Sequence, residues 1–227
     1  MSIRPVLSET RAQPTMEGAG VHLHRVFGFR NPEEYDPFLM MDDFRNERPE
    51  DYVRGFPWHP HRGIETITYV LAGSVDHGDS LGNTGTLRGG DVQWMTAGSG
   101  ILHQEMPKGN AKGQMHGFQL WANLPGHLKM TKPRYQDVRS GDIPEVIDDD
   151  GTVVRVIVGE FWGKRGPVDG IAGETWCRVA RALHRGSRGL SGGSSLARLL
   201  EAKRGVSNPA ARRTQTHDGK RVARART

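Results

Sequence analysis

Apolar and polar residues alternate with a period of two along the first three quarters of the chain, in short runs. Residues 21–29 alternate in this way, with Gly28 and Pro32 closing the stretch. The apolar run Phe38, Leu39, Met40, Met41, closed by Asp42 and Asp43, fits a short buried strand. Residues 66–71 are β-branched, aromatic or apolar, and Gly73 ends them. The pattern predicts further strands over 75–77, 92–95, 117–124 and 152–159, separated by glycine-rich turns at 78–85, 89–91 and 97–100. Short strands at close spacing with glycine punctuation predict an all-β sandwich or barrel. Thirty glycines and thirteen prolines agree with that, since they favour tight turns over long helices.

The grammar changes near Thr175. Arg, Ala, Gly and Ser dominate from there on, with one short run, 196–203, that suits a helix. Residues 176–227 carry 13 Lys and Arg against 2 Asp and Glu, a net +11. Residues 1–175 carry 18 against 24, a net −6, so the overall +5 describes the tail and not the β-rich part. The division expected is a β domain over 1–170 and a basic tail over 171–227, mostly disordered because it has too little apolar surface to offset the entropy of ordering. Such a tail attracts nucleic acid only nonspecifically, through charge. Beyond Trp176 no aromatic residue interleaves with the charge to stack on bases. The lone cysteine, Cys177, excludes a disulfide framework and a multi-cysteine zinc site, and is expected to be inert. No run approaches the roughly 18 apolar residues of a membrane helix, and the first residues lack the apolar stretch of a signal peptide. The expectation is a cytoplasmic chain with no membrane partner.

The chemistry concentrates in two short motifs. His59-Pro60-His61 places two imidazoles on one face of an extended chain, and Pro60 disfavours a helical conformation at His59. His103-Gln104-Glu105 has the same spacing and turns Gln104 away from the face shared by His103 and Glu105. Two such strands side by side bring three nitrogens and one carboxylate oxygen around one point. That set suits a borderline metal, with Fe(II), Mn(II), Ni(II), Cu(II) and Zn(II) all compatible, and two or more His with one carboxylate and open positions is the geometry of non-haem Fe(II) oxygen chemistry. His22-Leu23-His24 repeats the spacing without a carboxylate partner or flanking glycine turns, and is expected to be structural.

The runs 56–73, 83–107 and 117–124, read with those two motifs, closely resemble the pirin family, a branch of the cupins. The resemblance covers about 16–170 and implies a cupin double-stranded β-barrel of jelly-roll type. It implies metal ligation by His59, His61, His103 and Glu105, with iron as the usual ion and Glu105 as the catalytic carboxylate. It also implies one of two activities. One is a quercetin 2,3-dioxygenase-like enzyme taking a flavonol-like substrate and O2. The other is a non-catalytic iron or redox sensor that binds a regulatory protein.

The general cupin pattern puts a ligating Glu a few residues after His-x-His, and Glu65 has that spacing. In pirins that position resembles a supporting group that orients ligands, so Glu105 is preferred as the fourth ligand and Glu65 as its support. His116, just before a strand, is a second supporting candidate. His77 is expected to be exposed, and Trp58, Trp94, Phe118 and Trp121 to be core. Gln119 is expected to point into a cavity if Phe118 and Leu120 point out. Pirins resemble two-barrel proteins, and here the resemblance ends soon after Gly166-Pro167-Val168. The basic tail, in place of a second cupin, reads like a shifted frame of a GC-rich gene.

Overall fold

The chain is described as a computed structural model over residues 9–30, 32–147, 151–169 and 181–184. The expectations for 196–203, for Cys177 and for disorder in the tail lie outside these residues. Its strands, in chain order, are β1 (Gln13–Glu17), β2 (Val21–Phe27), β3 (Phe38–Asp43), β4 (Phe56–His61), β5 (Ile64–Ala72) and β6 (Ser74–Asp79). There follow β7 (Thr84–Arg88), β8 (Val92–Thr96), β9 (Ile101–Lys108), β10 (His116–Asn123) and β11 (Arg134–Val138). The last are β12 (Glu145–Ile147), β13 (Val153–Val156), β14 (Glu160–Phe161), β15 (Lys164–Arg165) and β16 (Arg181–His184). Helix is confined among the described residues to one four-residue α-helix, Pro32–Tyr35, and three single 3-10 turns.

Two sheets build the domain. The larger has the order β1-β2-β3-β10-β5-β8-β11, and the smaller β4-β9-β6-β7. Every pairing in them is antiparallel. The strand sequences explain the layering. In β2, Val21, Leu23 and Phe27 are buried while His22 and His24 are exposed, so the period of two divides a core face from a solvent face. Gly73 makes the tight passage from β5 in one sheet to β6 in the other. Its φ is +78°, and a Cβ there would meet the Lys108 carbonyl oxygen at 2.5 Å, so only glycine fits without strain.

The space between the sheets has apolar ends and a polar middle. Along β5, Ile64 packs with Met95, Ala97 and Ile101, whereas Val70 packs with Val21, Leu23, Val75 and Leu87. Thr66 and Thr68 lie between them and are buried. The middle layer is tied across the sheets by hydrogen bonds: Thr68 and Gln119 to Glu105, Tyr135 to His103, and His77 to Asp137. The opposite face of the larger sheet is also buried. There Ile67, Val92 and Trp94 pack against Ile143, Ile157, Val158 and Val168.

Beyond β11 the pairing continues in a small sheet of order β12-β13-β16. Arg181–His184 pairs with Val153–Val156 although the residue pattern after Thr175 predicts no strand. Arg155 anchors this segment to the larger sheet. Its guanidinium donates to the Tyr69 hydroxyl and to the carbonyl oxygens of Gly90 and Ser140. Among the described residues no helix is long and apolar enough to cross a membrane.

Candidate metal centre

Strand β4 lies antiparallel beside β9, with His59 directly opposite His103. A register shift between Phe56 and His59 lets the first strand deliver both of its histidines to the interior near the opposite pair. One ring nitrogen from each of His59, His61 and His103 falls within 4.8 Å of the others, which is a group of three that can hold a metal ion. Ring centroids are 4.4 to 4.9 Å apart. His59 is half-buried, while His61 and His103 are 7% and 0% exposed. The centre therefore opens on the His59 side.

The protons on these rings follow from their partners. His59 Nδ1 lies 2.8 Å from the Pro57 carbonyl oxygen, which only accepts, so Nδ1 carries the proton and Nε2 presents its lone pair. That lone pair faces His61 Nε2 at 3.1 Å. Nε2 of His103 is buried and has no hydrogen-bond partner among the described residues. Burial, and then the neighbouring imidazoles, push the His61 pKa down to about 3, so its ring is neutral at physiological pH. Burial likewise lowers the pKa of His103. Three clustered imidazoles with an orphaned buried nitrogen on His103 fit a cation of the borderline class.

Glu105 is 4% exposed and points inward from the same face of β9 as His103. Its carboxylate lies outside the group of three nitrogens and is held by the larger sheet instead. Gln119 Nε2 donates to both of its oxygens, at 3.2 and 3.0 Å, and Thr68 Oγ1 donates at 3.1 Å. Burial pushes its pKa up, but the His103 ring, the Gln119 hydrogen bond and the other two histidines outweigh that and hold it below the usual value. The carboxylate is thus kept ionised beside the imidazoles. A cleft of about 450 Å³, including its solvent-open part, reaches Glu105, Gln119 and Thr68 between apolar walls that include Leu23, Phe44 and Phe56.

The structure separates the supporting candidates. Glu65 stands opposite Ala122 on β10 and Thr96 on β8. Ala122 packs in the outer cluster, whereas Thr68, three residues along β5, faces Glu105. Glu65 is therefore on the far face of the larger sheet from the histidines, 1% exposed, and accepts a hydrogen bond from Thr96 Oγ1 at 2.7 Å. His116 is likewise elsewhere. It contacts Phe118 edge-on, accepts from Arg45 at 3.1 Å and lies 3.8 Å from Asp43. Phe118 and His116 share the side of β10 opposite Gln119, so His116 does not orient the histidines. Gln119 does turn inward, as the alternation of β10 implies.

Two other expectations need correction. His77 is buried, not exposed: β6 places it opposite Glu105 and bonds it to Asp137 at 3.0 Å. Trp58 is 55% exposed and so is not core. Trp94 is fully buried as expected. Trp121 packs edge-on to His61 at 4.9 Å and 6.0 Å from Phe29, so it walls the centre. The sequence reading missed Thr68, Tyr135 and Asp137, which face the site from the larger sheet. The inward parity of 135 and 137 was the available signal, but it becomes readable only once β11 is known to pair with β8.

Two antiparallel sheets enclosing a histidine cluster define a cupin-type domain able to hold a metal ion. Residues 20–122 match the pirin family. A pirin-like protein of Caulobacter vibrioides is 48% identical over 171 residues, 75% of this chain and 62% of that protein. A solved quercetin 2,3-dioxygenase from Acinetobacter baumannii is 36% identical, with a TM-score of 0.62 over 70% of this chain and 58% of that one. A solved protein of Geobacillus kaustophilus is 42% identical, with a TM-score of 0.62 over 74% of this chain and 64% of that one. Residues 20–122 form a pirin-family domain. The chain spans a little more than half the length of curated relatives it matches.

Proposed function

We propose that this domain is an Fe(II)-dependent dioxygenase acting on a flavonol such as quercetin, with the ion held by His59, His61, His103 and Glu105. The observation that carries the reading is the convergence of three imidazole nitrogens on one point beside a buried carboxylate. Kinship with a solved quercetin 2,3-dioxygenase supports the choice of reaction class.

Bound there, the ion supplies Lewis acidity toward a substrate hydroxyl and redox chemistry with O2. The protein's own residues do the rest. The Pro57 carbonyl fixes the His59 tautomer, so no proton has to leave Nε2 before it ligates. Glu105, held by hydrogen bonds from Gln119 and Thr68 beside the imidazoles, would complete the ligand set and accept the hydroxyl proton. Trp121 covers the His61 edge and excludes water from that side. The basic tail and any second domain have no part in this reading.

Oxygen consumption by iron-loaded protein tests it. Quercetin should raise the rate, and His103→Ala should abolish the increase. A rate that is the same with and without quercetin, in protein shown to contain iron, overturns the enzyme reading and leaves a metal-binding domain without this turnover.

A further inference from the structure

We infer that Tyr135 is a positioning residue for His103, and that His77 and Asp137 hold Tyr135 in place for that task. The inference rests on the metal-site reading above but not on the reaction assigned to it. Tyr135 comes from β11, at the edge of the larger sheet, and its hydroxyl lies 3.2 Å from His103 Nδ1. The other nitrogen of that ring, Nε2, is the buried one with no partner among the described residues. When Nε2 ligates a cation its lone pair is used, so the ring proton must sit on Nδ1 and needs an acceptor. The Tyr135 oxygen is the group in place to accept it. A phenol oxygen accepts a hydrogen bond as well as donating one.

The phenol is itself held on one face. The His77 ring stacks on Tyr135 with 5.7 Å between centroids and 9° between planes. His77 is fixed from its other end by Asp137, which also accepts from Gln93 at 3.0 Å. Gly85 makes room for the ring, because a Cβ at that position would lie 2.5 Å from His77 Nε2. The result is a continuous support: Gln93 and Asp137 fix His77, His77 fixes the Tyr135 ring, and Tyr135 fixes the tilt of His103 and takes its Nδ1 proton in a hydrogen bond. His59 has a simpler version, its own strand's Pro57 carbonyl. The two ligands directly opposite each other across β4 and β9 are therefore each proton-anchored, one by backbone and one by the phenol.

Tyr135→Phe removes one oxygen and leaves the ring on His77. Zn(II) affinity, measured by chelator competition on the full chain, should fall about 10–100-fold, the usual range for groups that orient ligands. Imidazole ¹⁵N–¹H spectra of the Zn(II)-loaded protein give a readout that mere loss of packing would not move. In the wild type the His103 Nδ1 proton should be visible and slow to exchange, and in Tyr135→Phe it should exchange fast. Unchanged affinity and unchanged exchange in Tyr135→Phe overturn the inference. Should that variant not fold, the wild-type spectrum decides alone. A slowly exchanging proton on His103 Nδ1 upholds the inference, and a proton on Nε2 or a metal on Nδ1 overturns it. A wild type that binds no Zn(II) sinks the metal-site reading, and the tautomer inference with it. That outcome is distinguishable from a wild type that binds while Tyr135→Phe binds equally well.

Discussion

Nε2 of His59 and Nε2 of His61 face each other at 3.1 Å, with the His61 pKa pushed down to about 3 by burial and the neighbouring imidazoles. With one proton between them these nitrogens form an imidazole–imidazole hydrogen bond, and without it their two lone pairs converge as a pair of ligands. His59→Ala, His61→Ala and His103→Ala should each lose metal strongly. His24→Ala should bind normally, because His22 and His24 lie on the exposed face of β2. Chelator competition with Zn(II) checks all four variants in one experiment, and equal losses across them would contradict the assignment.

Gln119 donates to both oxygens of Glu105 and receives the Trp121 indole N–H on its own oxygen at 3.4 Å. Gln119→Met leaves the buried carboxylate without its main donor. The metal-free protein should lose about 1.5–3 kcal/mol, the usual size of a hydrogen bond to a charged group. Saturating Zn(II) should recover part of that loss, since the carboxylate regains a partner and ligand binding stabilises the folded state. Urea melts with and without Zn(II) read both values.

Asp137 has its pKa set by opposing effects. Burial raises it, and the hydrogen bonds from His77 and Gln93, with charge from His77 and Arg139, hold it below the ordinary 3.8. A carboxyl whose folded pKa is depressed releases its proton more readily when folded. It therefore contributes stability that is present above about 3.8 and is lost as pH falls below it. Asp137→Asn should cost about 1–3 kcal/mol at pH 7. That difference should shrink at pH 3 in metal-free protein. A difference that grows on acidification would contradict the assignment.

How far the residues alone carry the fold and the site differs from strand to strand. The pairs 59/61 and 103/105 were legible because each lies within one uninterrupted strand, where parity holds. Glu65 shares the parity of His61 in the chain but not in space. Gly63, at φ +69°, ends β4, and β5 starts afresh in the other sheet, so the count of two restarts between them. His116 fails because it shares the side of Phe118, opposite Gln119 on β10, so the alternation that turns Gln119 inward turns His116 away. His77 was hidden by the glycines around it, which read as a turn while the chain runs on as β6. Tyr135 reaches His103 across 32 positions, a relationship no local pattern contains.

The two displaced candidates give a direct check on that reasoning. His116→Ala should leave metal affinity unchanged. Glu65→Gln keeps the shape of a buried side chain and should cost stability through its bond to Thr96 while metal content stays at the wild-type level. Metal loss in His116→Ala, measured by the same chelator competition, would put that ring back at the centre.

The most direct test of the central claim is the metal content of purified protein by elemental analysis, in the wild type, Glu105→Ala and Glu65→Ala. The account predicts a stoichiometric transition metal in the wild type, a strong loss in Glu105→Ala and full occupancy in Glu65→Ala. An emptied Glu65→Ala site beside a full Glu105→Ala site would contradict it, because the fourth ligand would then come from the far face of the larger sheet.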